Sequence, residues 1–264
     1  MKKSVFFIFF IIIALNFIVA PTCAFAENET PKIAFVIDDF GQDRAGVEQM
    51  LNLDIPLTCA IIPFMEHSID DMKMIIENGK EAILHMPMEA DQYLPESWYG
   101  PKMIKNNYDS KQIKEVMQEC IDSLPDIKGV NIHIGSGVSQ NEKQMMVVME
   151  VVKDNNLYFL DSRTSDKSVC NEVAKELKVD YQYRDVFLEK TKHAEYNHIV
   201  SQIQKAIDIA KSNGKAVIIG HVGPEGGEVT AKAIKDSIPS IKNANVEIVP
   251  LSQIVSINAY KQDK

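Results

Sequence analysis

Short runs of consecutive apolar residues alternate along the chain with longer segments in which apolar residues recur at helical spacing. Several runs, such as IAFVI at 33–37 and AVII at 216–219, are apolar at every position rather than at alternate positions. That pattern is typical of strands covered on both faces, as in a parallel sheet. Repeated alternation of strand and helix predicts a parallel α/β fold, either an open sheet or a closed barrel.

The positions of the elements follow from the same pattern. Strands are expected at 33–37, 57–62, 82–84, 130–134, 157–160, 186–188, 216–219 and 246–251. Helices are expected at 43–51, 69–78, 110–124, 140–154, 169–178, 195–212 and 228–238. Asp109, or Ser110 beside it, is expected to cap the third helix.

The first 26 residues have the layout of a secretory signal peptide: a basic start, an apolar stretch and a small-residue cleavage site, Ala-Phe-Ala, at 24–26. Cleavage after Ala26 predicts an extracytoplasmic protein, whether secreted, periplasmic or on the cell surface. The alternative is an uncleaved membrane anchor, since the apolar stretch approaches the length that spans a bilayer. The expected organisation is a signal peptide or anchor at 1–26, a short linker at 27–31, one domain at 32–256 and a C-terminal tail at 257–264.

The charge of the chain narrows its partners. The formal net charge is −9, and loss of Lys2 and Lys3 with the signal peptide would make it −11. A chain this acidic is poorly suited to nucleic acid or to an anionic membrane surface, so membrane contact is expected only through an uncleaved N-terminal segment. Three cysteines would remain, Cys59, Cys120 and Cys170, without CxxC spacing. An odd number in that arrangement favours buried thiols over a disulfide framework or a zinc finger.

Polar side chains follow the predicted strands, where parallel α/β folds place their active sites. Four of the six histidines of the chain lie at such strand exits. One long irregular segment, 90–108, holds the only tryptophan, Trp98, and three tyrosines, and loops of this length are often functional. The exits and this segment supply the candidate residues Asp38, Asp39, His85, Glu89, Trp98, Asn131, His133, Ser136, Asp161, Arg163 and His221.

The first exit carries two adjacent carboxylates, Asp38 and Asp39, after a buried run. If the strand continues to Asp39, alternation puts Asp39 on the face of Phe35 and Ile37, and Asp38 on the face of Val36. Burying two unpaired carboxylates would cost several kcal/mol each. One interpretation is a helix cap beside a solvated acid. The other is one carboxylate on a metal and its neighbour acting as a base.

The histidines allow a structural and a chemical interpretation. His85 and His133 each follow a buried strand, and either one alone could be a satisfied core residue. Together with an aspartate at a third exit they form a donor set with open coordination positions, which suits a catalytic divalent metal such as zinc. Glu89, four residues beyond His85, could be a fourth ligand or a substrate contact. His221 could be a general acid or part of a helix start.

A set of short motifs in fixed order resembles the divergent polysaccharide deacetylases, which are related to the NodB-type carbohydrate esterases. The motifs span about 32–255. They are IDDFG at 37–41, AIIPF at 60–64, LHMPME at 84–89, NIHIGS at 131–136, FLDSRTS at 159–165, RDVFL at 184–188 and IGHV at 219–222.

This resemblance implies a distorted (β/α) barrel of seven or eight strands. It implies that Asp38 is the catalytic base, that Asp39 joins two histidines on a divalent metal, often zinc, and that His221 is the acid. NodB-type enzymes carry both histidines in one H-[ST]-x-x-H run. Here His85 is followed by Met-Pro-Met-Glu, so the second histidine implied is His133.

Two functions follow. The first is a metal-dependent hydrolase that removes acetyl groups from an N-acetylated polysaccharide of the cell envelope, with the aromatic segment packing against sugar rings. Asp161 and Arg163 would orient other groups or contact substrate, as would Asn131, Ser136 and Trp98. The second is a catalytically silent glycan-binding or envelope-assembly protein on the same barrel. In both, the partner is a cell-envelope glycan or oligosaccharide.

Overall fold

Nine strands form one sheet in the computed structural model, which describes residues 30–190, 194–224 and 226–255. The strands are β1 (Lys32–Phe40), β2 (Thr58–Ile61), β3 (Glu81–Met88), β4 (Gly129–Ile134), β5 (Tyr158–Asp161), β6 (Tyr181–Tyr183), β7 (Val186–Phe187), β8 (Lys215–His221) and β9 (Glu247–Ile248). They pair in the order β6-β5-β4-β3-β2-β1-β8-β7, with β9 beside β1. All of these pairings are parallel, which puts every strand exit at one end of the sheet.

Within the residues that the structure describes, seven α-helices occupy the connections between strands. They are α1 (Val47–Leu51), α2 (Ser68–Glu77), α3 (Ser110–Asp122), α4 (Glu142–Asp154), α5 (Cys170–Leu177), α6 (Tyr196–Asn213) and α7 (Gly227–Asn243). The expected cap of α3 is confirmed: Asp109 Oδ1 accepts from Gln112 N at 2.9 Å, and Gln112 Oε1 accepts from Asp109 N at 3.0 Å. This reciprocal capping box satisfies two amide donors that the helix leaves free.

The two faces of the sheet pack differently. Odd-numbered residues of β1, such as Phe35 and Ile37, pack into the large core beneath the helices. Even-numbered residues, such as Ala34 and Val36, pack into a smaller core with Ala60, Ile83, Leu160, Val217 and Ile219. Each of these side chains is fully buried, which contributes roughly 1.5–3 kcal/mol for one the size of valine or leucine. Burial on both faces explains why the strands read as unbroken apolar runs.

The chain itself holds the two edges of the sheet together. β6 and β7 lie at opposite ends of the pairing order, yet only Arg184 and Asp185 separate them in sequence. Two linking residues span at most about 10 Å, so the sheet must curl until its edges meet. The linking residues bond to both sides of the join. The Arg184 guanidinium donates to the carbonyls of Ser162 and Arg163 after β5 at 2.8 and 3.0 Å, and Asp185 N donates to Val217 O of β8 at 2.8 Å. The expected distorted barrel is thereby confirmed, as a curled sheet whose closing edge is covalent.

Several elements differ from the expected ones: β3 runs to Met88 rather than ending near 84, and β9 has two residues rather than six. β6 was not expected, and it is a three-residue strand with a polar centre, Gln182. α1 begins at Val47 rather than near 43, because Gly46 precedes it in a left-handed conformation at φ 81°. α7 continues to Asn243, five residues beyond the expected end, and contains Pro239.

The interior of the barrel is closed at the amino ends of the strands by a hydrogen-bonded group that we call the base cluster: Thr58, Glu81, Tyr158 and the amides of Leu251 and Ser252. Glu81 Oε1 accepts from Thr58 Oγ1, Tyr158 OH and Ser252 N at 2.9, 2.8 and 3.2 Å. Thr58 Oγ1 in turn accepts from Leu251 N at 2.9 Å. The segment after β9 is thus bonded across the bottom of the barrel.

The signal peptide expected at 1–26 lies outside the described residues, as do most of the linker and the C-terminal tail. The domain limits stay predictions. Among the helices that the structure describes, none is long and apolar enough to cross a membrane. Cys59, Cys120 and Cys170 are buried and unpaired, as the sequence indicated.

Candidate metal centre and catalytic site

The end of β1 departs from regular strand geometry at the aspartate pair. Asp39 has φ 71°, a left-handed conformation that is uncommon for residues other than glycine. The register of β1 against β2 also shifts between Ile37 and Phe40. Asp39 therefore turns toward the barrel interior, which Asp38 reaches by ordinary alternation. The expectation that the two carboxylates lie on opposite faces is wrong: Asp38 Oδ2 and Asp39 Oδ1 lie 3.7 and 3.4 Å from the same atom, His85 Nε2.

A chain of hydrogen bonds fixes the orientation of His85. Asn131 uses its Nδ2 to donate to Asp38 Oδ1 at 2.8 Å. Its Oδ1 is then the atom that faces His85 Nδ1, also at 2.8 Å. Because an amide oxygen can only accept, His85 Nδ1 carries a hydrogen. In the neutral ring, the lone pair of His85 is therefore on Nε2, the nitrogen that faces the aspartates.

His133 is oriented in the same way by the main chain. Its Nε2 lies 2.9 Å from the carbonyl oxygen of Trp98, which can only accept a hydrogen bond. His133 Nε2 therefore carries a hydrogen, and the lone pair of the neutral ring is on Nδ1. Nδ1 lies 3.0 Å from His85 Nε2 and 3.3 Å from Asp39 Oδ1.

Three acceptor atoms thus face one point: Asp39 Oδ1, His85 Nε2 and His133 Nδ1. Asp39 Oδ1 is buried and has no hydrogen-bond partner among the described residues. Ligand atoms on a tetrahedral zinc ion, bound at about 2.0–2.1 Å, lie about 3.3–3.4 Å apart. The observed separations of 3.0, 3.3 and 3.4 Å are close to that value. Buried lone pairs that converge without a donor require a cation, and the set of two imidazoles and one carboxylate fits a divalent metal.

The electrostatics of the metal-free protein agree with this requirement. Burial alone would lower the pKa of His85, but the carboxylates of Asp38 and Asp39 outweigh it and raise that pKa. Burial alone would raise the pKa of Asp39, but the adjacent rings of His133 and His85 hold it well below its usual range. In the absence of a metal, the raised pKa of His85 and the lowered pKa of Asp39 favour a protonated imidazole beside an ionised carboxylate, so the cluster holds a positive charge near Asp39.

Asp38 has a different environment from Asp39. Burial raises the pKa of Asp38, and the nearby His85 and His221 oppose that rise only in part. A carboxylate with a raised pKa is suited to accept a proton near neutral pH. One oxygen of Asp38 is bound to Asn131, and the other lies on the His85 side of the cluster.

His221 lies beside Asp38, because the two residues are partners in the β1–β8 pairing. Its Nδ1–H donates to Glu189 Oε2 at 3.0 Å. Glu189 is itself held by Thr230 Oγ1 at 2.6 Å and by His221 N at 3.1 Å, both bonds going to Oε1. Burial alone would lower the pKa of His221, but the bond to Glu189 and the charges of Asp39 and Asp38 raise it to about 10. His221 is therefore a protonated imidazole at neutral pH, as a general acid must be.

Sequence reasoning missed Glu189 and Thr230. Glu189 lies two residues beyond the short strand β7, where the pattern VFLEK suggests only a solvated acid after a strand. It is in fact 4% exposed. A signal was present in the fold argument, since Glu189 is the first charged residue after a strand exit. Thr230 lies inside α7 and offers no comparable signal.

Four candidate residues lie outside the group of side chains that converge on the candidate metal position. Glu89 accepts from Asn106 N at 2.6 Å, and Ser136 donates to Asp91 Oδ1 at 2.7 Å, so both hold the 90–108 segment in place. Asp161 accepts from Ser168 Oγ and from Arg163 N, both at 2.7 Å. The guanidinium of Arg163 stacks on the ring of Tyr183 at 3.7 Å. Among the described residues, the candidate metal cluster comprises only Asp39, His85 and His133.

Exposed aromatic rings stand around this end of the barrel. Trp98 is 57% exposed, Tyr93 is 90% exposed and Phe64, at the exit of β2, is 41% exposed. Phe64 also has a positive φ of 61°, an uncommon conformation for a bulky residue. Rigid aromatic faces beside a polar cluster are suited to pack against the apolar faces of sugar rings.

A curled, all-parallel α/β sheet with an Asp-His-His cluster at its carboxyl end defines a barrel of the NodB-like type. The family model for "divergent polysaccharide deacetylase" matches residues 35–255, and the chain belongs to that family. The resemblance seen in the sequence motifs is thereby confirmed.

Individual proteins resemble the chain in sequence or in fold. The uncharacterized protein YibQ of Escherichia coli is 30% identical over 212 residues, a match that covers 80% of this chain and 64% of that protein. Among solved structures, an uncharacterized protein from Agrobacterium tumefaciens superposes with a TM-score of 0.76 at 20% identity, covering 86% of this chain and 90% of the other. A polysaccharide deacetylase from Bacillus cereus superposes with a TM-score of 0.50 at 13% identity, covering 83% and 91%. At these identities the structural likenesses show the fold alone.

Proposed function

We propose that the protein is a metal-dependent hydrolase that removes acetyl groups from an N-acetylated polysaccharide of the cell envelope. The observation that carries the proposal is the convergence of Asp39 Oδ1, His85 Nε2 and His133 Nδ1 within 3.4 Å of one another, with both histidines fixed in the tautomer that a metal needs. Membership of the divergent polysaccharide deacetylase family supports a glycan as the substrate.

Asp39, His85 and His133 would hold the metal, for which zinc is the ion best suited to this donor set. A divalent metal there would act as a Lewis acid that polarises the acetyl carbonyl and lowers the pKa of a water molecule. Asp38 accepts the proton of the attacking water, as its raised pKa favours. Asn131 keeps the Asp38 carboxylate in place throughout.

His221 completes the proton balance. Its Nδ1–H is bound to Glu189, so the proton available for transfer is the one on Nε2. His221 gives this proton to the amide nitrogen as the carbon–nitrogen bond breaks, and acetate and a free amine result. Glu189 stabilises the imidazolium before the transfer and keeps the ring in one orientation, a positioning role that Thr230 supports.

Acetate release by the purified protein tests the proposal. N-acetylchitooligosaccharides and peptidoglycan would be the substrates, and release should stop on chelation and return with zinc. His221→Gln should bind zinc with the affinity of the wild type but release little acetate. Release that survives chelation would overturn the metal-dependent mechanism. Stoichiometric glycan binding without any release would favour the catalytically silent alternative. An extracytoplasmic location remains part of the proposal and rests on residues 1–26.

A further inference from the structure

Trp98 contributes two groups to the site that point to different ligands. Its indole ring is 57% exposed, while its main-chain carbonyl accepts the hydrogen bond from His133 Nε2 at 2.9 Å. We propose that Trp98 couples glycan binding to metal binding: a sugar ring that packs on the indole fixes the carbonyl that holds His133 in its metal-binding tautomer. The inference rests on the proposed function for the identity of the sugar ligand.

The local sequence leaves this carbonyl free for His133. Residues Glu96–Trp98 form a single 3₁₀ turn, within which Trp98 N donates to Pro95 O at 3.0 Å. Continuation of the turn would require the amide of residue 101 to donate to Trp98 O. Residue 101 is proline, which has no N–H. The Trp98 carbonyl oxygen therefore needs a hydrogen-bond donor from elsewhere in the chain, and the imidazole N–H of His133 is that donor.

The segment that carries Trp98 is anchored near its ends. Asn106 Nδ2 donates to Ala90 O at 2.8 Å, and Asn106 N donates to the Glu89 carboxylate. Tyr99, next to Trp98, is 2% exposed and accepts from Ala90 N through its hydroxyl at 3.1 Å. The indole of Trp98 thus projects from a supported main chain. A contact that restricts the indole also restricts the position of the adjacent carbonyl.

The size of the coupling follows from the role of such partners. Loss of a group that orients a metal-ligating histidine typically costs 10–100-fold in metal affinity. A sugar that only steadies this group recovers part of that range, so we expect coupling of about three- to tenfold. Linkage requires the effect to be reciprocal: zinc must tighten glycan binding by the same factor. Trp98 is a positioning residue in this scheme, and it takes no part in proton transfer.

The test measures zinc affinity by competition with a chelating indicator, with and without saturating tetra-N-acetylchitotetraose. The His221→Gln background is used so that the acetyl groups stay in place. In this background the oligosaccharide should tighten zinc binding about three- to tenfold. With Trp98→Ala added, the main-chain carbonyl that orients His133 remains, but the sugar should no longer change zinc affinity.

Tyr93→Ala is the matched control, since Tyr93 is an exposed aromatic residue of the same segment, and the structure shows no bond between it and His133. This variant should keep the coupling even where sugar affinity falls. Trp98 is the only tryptophan in the chain, so its fluorescence gives a second measurement. Zinc should change the tryptophan emission of the wild-type protein and leave the emission of the His133→Ala variant unchanged.

Full coupling in Trp98→Ala, or an emission that zinc leaves unchanged, would overturn the inference. So would a protein that binds zinc but no N-acetylglucosamine oligomer. Failure of the proposed function gives a different result: sugar and zinc would still tighten each other's binding, while the protein with His221 intact released no acetate. Acetate release without coupling would overturn the role of Trp98 alone.

Discussion

Two polar clusters occupy opposite ends of the same barrel interior, and their hydrogen bonding is opposite in kind. In the base cluster, Glu81 Oε1 receives three donors, and Thr58 both donates and accepts. At the carboxyl ends of the strands, Asp39, His85 and His133 present three acceptors to one another, and within the described part of the chain Asp39 Oδ1 has no hydrogen-bond partner.

The difference separates a structural cluster from a ligand site. A buried polar group whose donors and acceptors match needs nothing further and stabilises the fold. Buried acceptors that face one another destabilise the fold unless a cation neutralises them. The chain thus retains, at one end only, an arrangement that makes sense when a further component binds. Each of the following predictions tests one side of this contrast.

The largest expected effect comes from Asp39→Asn, which preserves shape and removes the anionic ligand. Zinc at 100 times its dissociation constant should raise the free energy of unfolding of the wild type by about 2.7 kcal/mol, and should not stabilise the variant. Acetate release should fall by about 10³-fold or more. Urea unfolding with and without zinc measures the first effect. Asp91→Asn, which alters an exposed aspartate bonded to Ser136, should behave as the wild type.

Glu81→Ala should have the opposite effect: it should lower the stability of the metal-free protein and leave zinc binding intact. It removes the acceptor of the base cluster and leaves the Tyr158 hydroxyl, the Thr58 hydroxyl and the Ser252 amide without it. The Thr58 and Tyr158 side chains are buried, whereas Ser252 is exposed and its amide can bond to water. Two buried donors left unsatisfied, at about 1–3 kcal/mol each, should lower the free energy of unfolding by about 3 kcal/mol. The gain in stability on adding zinc should persist. If Glu81→Ala kept the wild-type free energy of unfolding but no longer bound zinc, the two ends of the barrel would not be independent.

How far the sequence predicts this contrast depends on the residue. Alternation along the buried strands places Asp38, His85, Asn131, His133 and His221 inside the barrel, on the face opposite the helices, because this alternation is regular. The fold class follows from the same regularity. These inferences need only local pattern and the rule that parallel strands end together.

Asp39 shows where such reasoning stops. Alternation directs it to the helix side, and only the left-handed φ of 71° and the register shift bring it to the histidines. The residue type at position 39 does not predict that conformation, since the groups that Asp39 faces there come from β3 and β4. Glu189 was missed for a related reason: it becomes a partner of His221 only because the sheet curls until β7 lies beside β8.

A smaller effect is expected from pH, and it too distinguishes the two ends. In the metal-free protein the pKa of His221 is raised from 6.5 to about 10. A pKa raised by folding gives stability that is fully present below pH 6.5 and is lost as pH rises through about 10. The difference in unfolding free energy between wild type and His221→Gln should therefore narrow over that range. The difference between wild type and Glu81→Ala serves as the reference at each pH, since the base cluster contains no histidine.

The smallest effect should come from Tyr158→Phe, which removes one of the three donors to Glu81 and leaves the acceptor with two. Loss of a single hydrogen bond without an orphaned partner costs about 1 kcal/mol. The same substitution in the Glu81→Ala background should cost nothing and should recover part of the lost stability, because it removes a buried hydroxyl that has no acceptor there. Urea unfolding of the four proteins measures this coupling. If both backgrounds lose the same free energy, the hydroxyl acts through packing, and the matched hydrogen bonding of the base cluster is not what stabilises that end of the barrel.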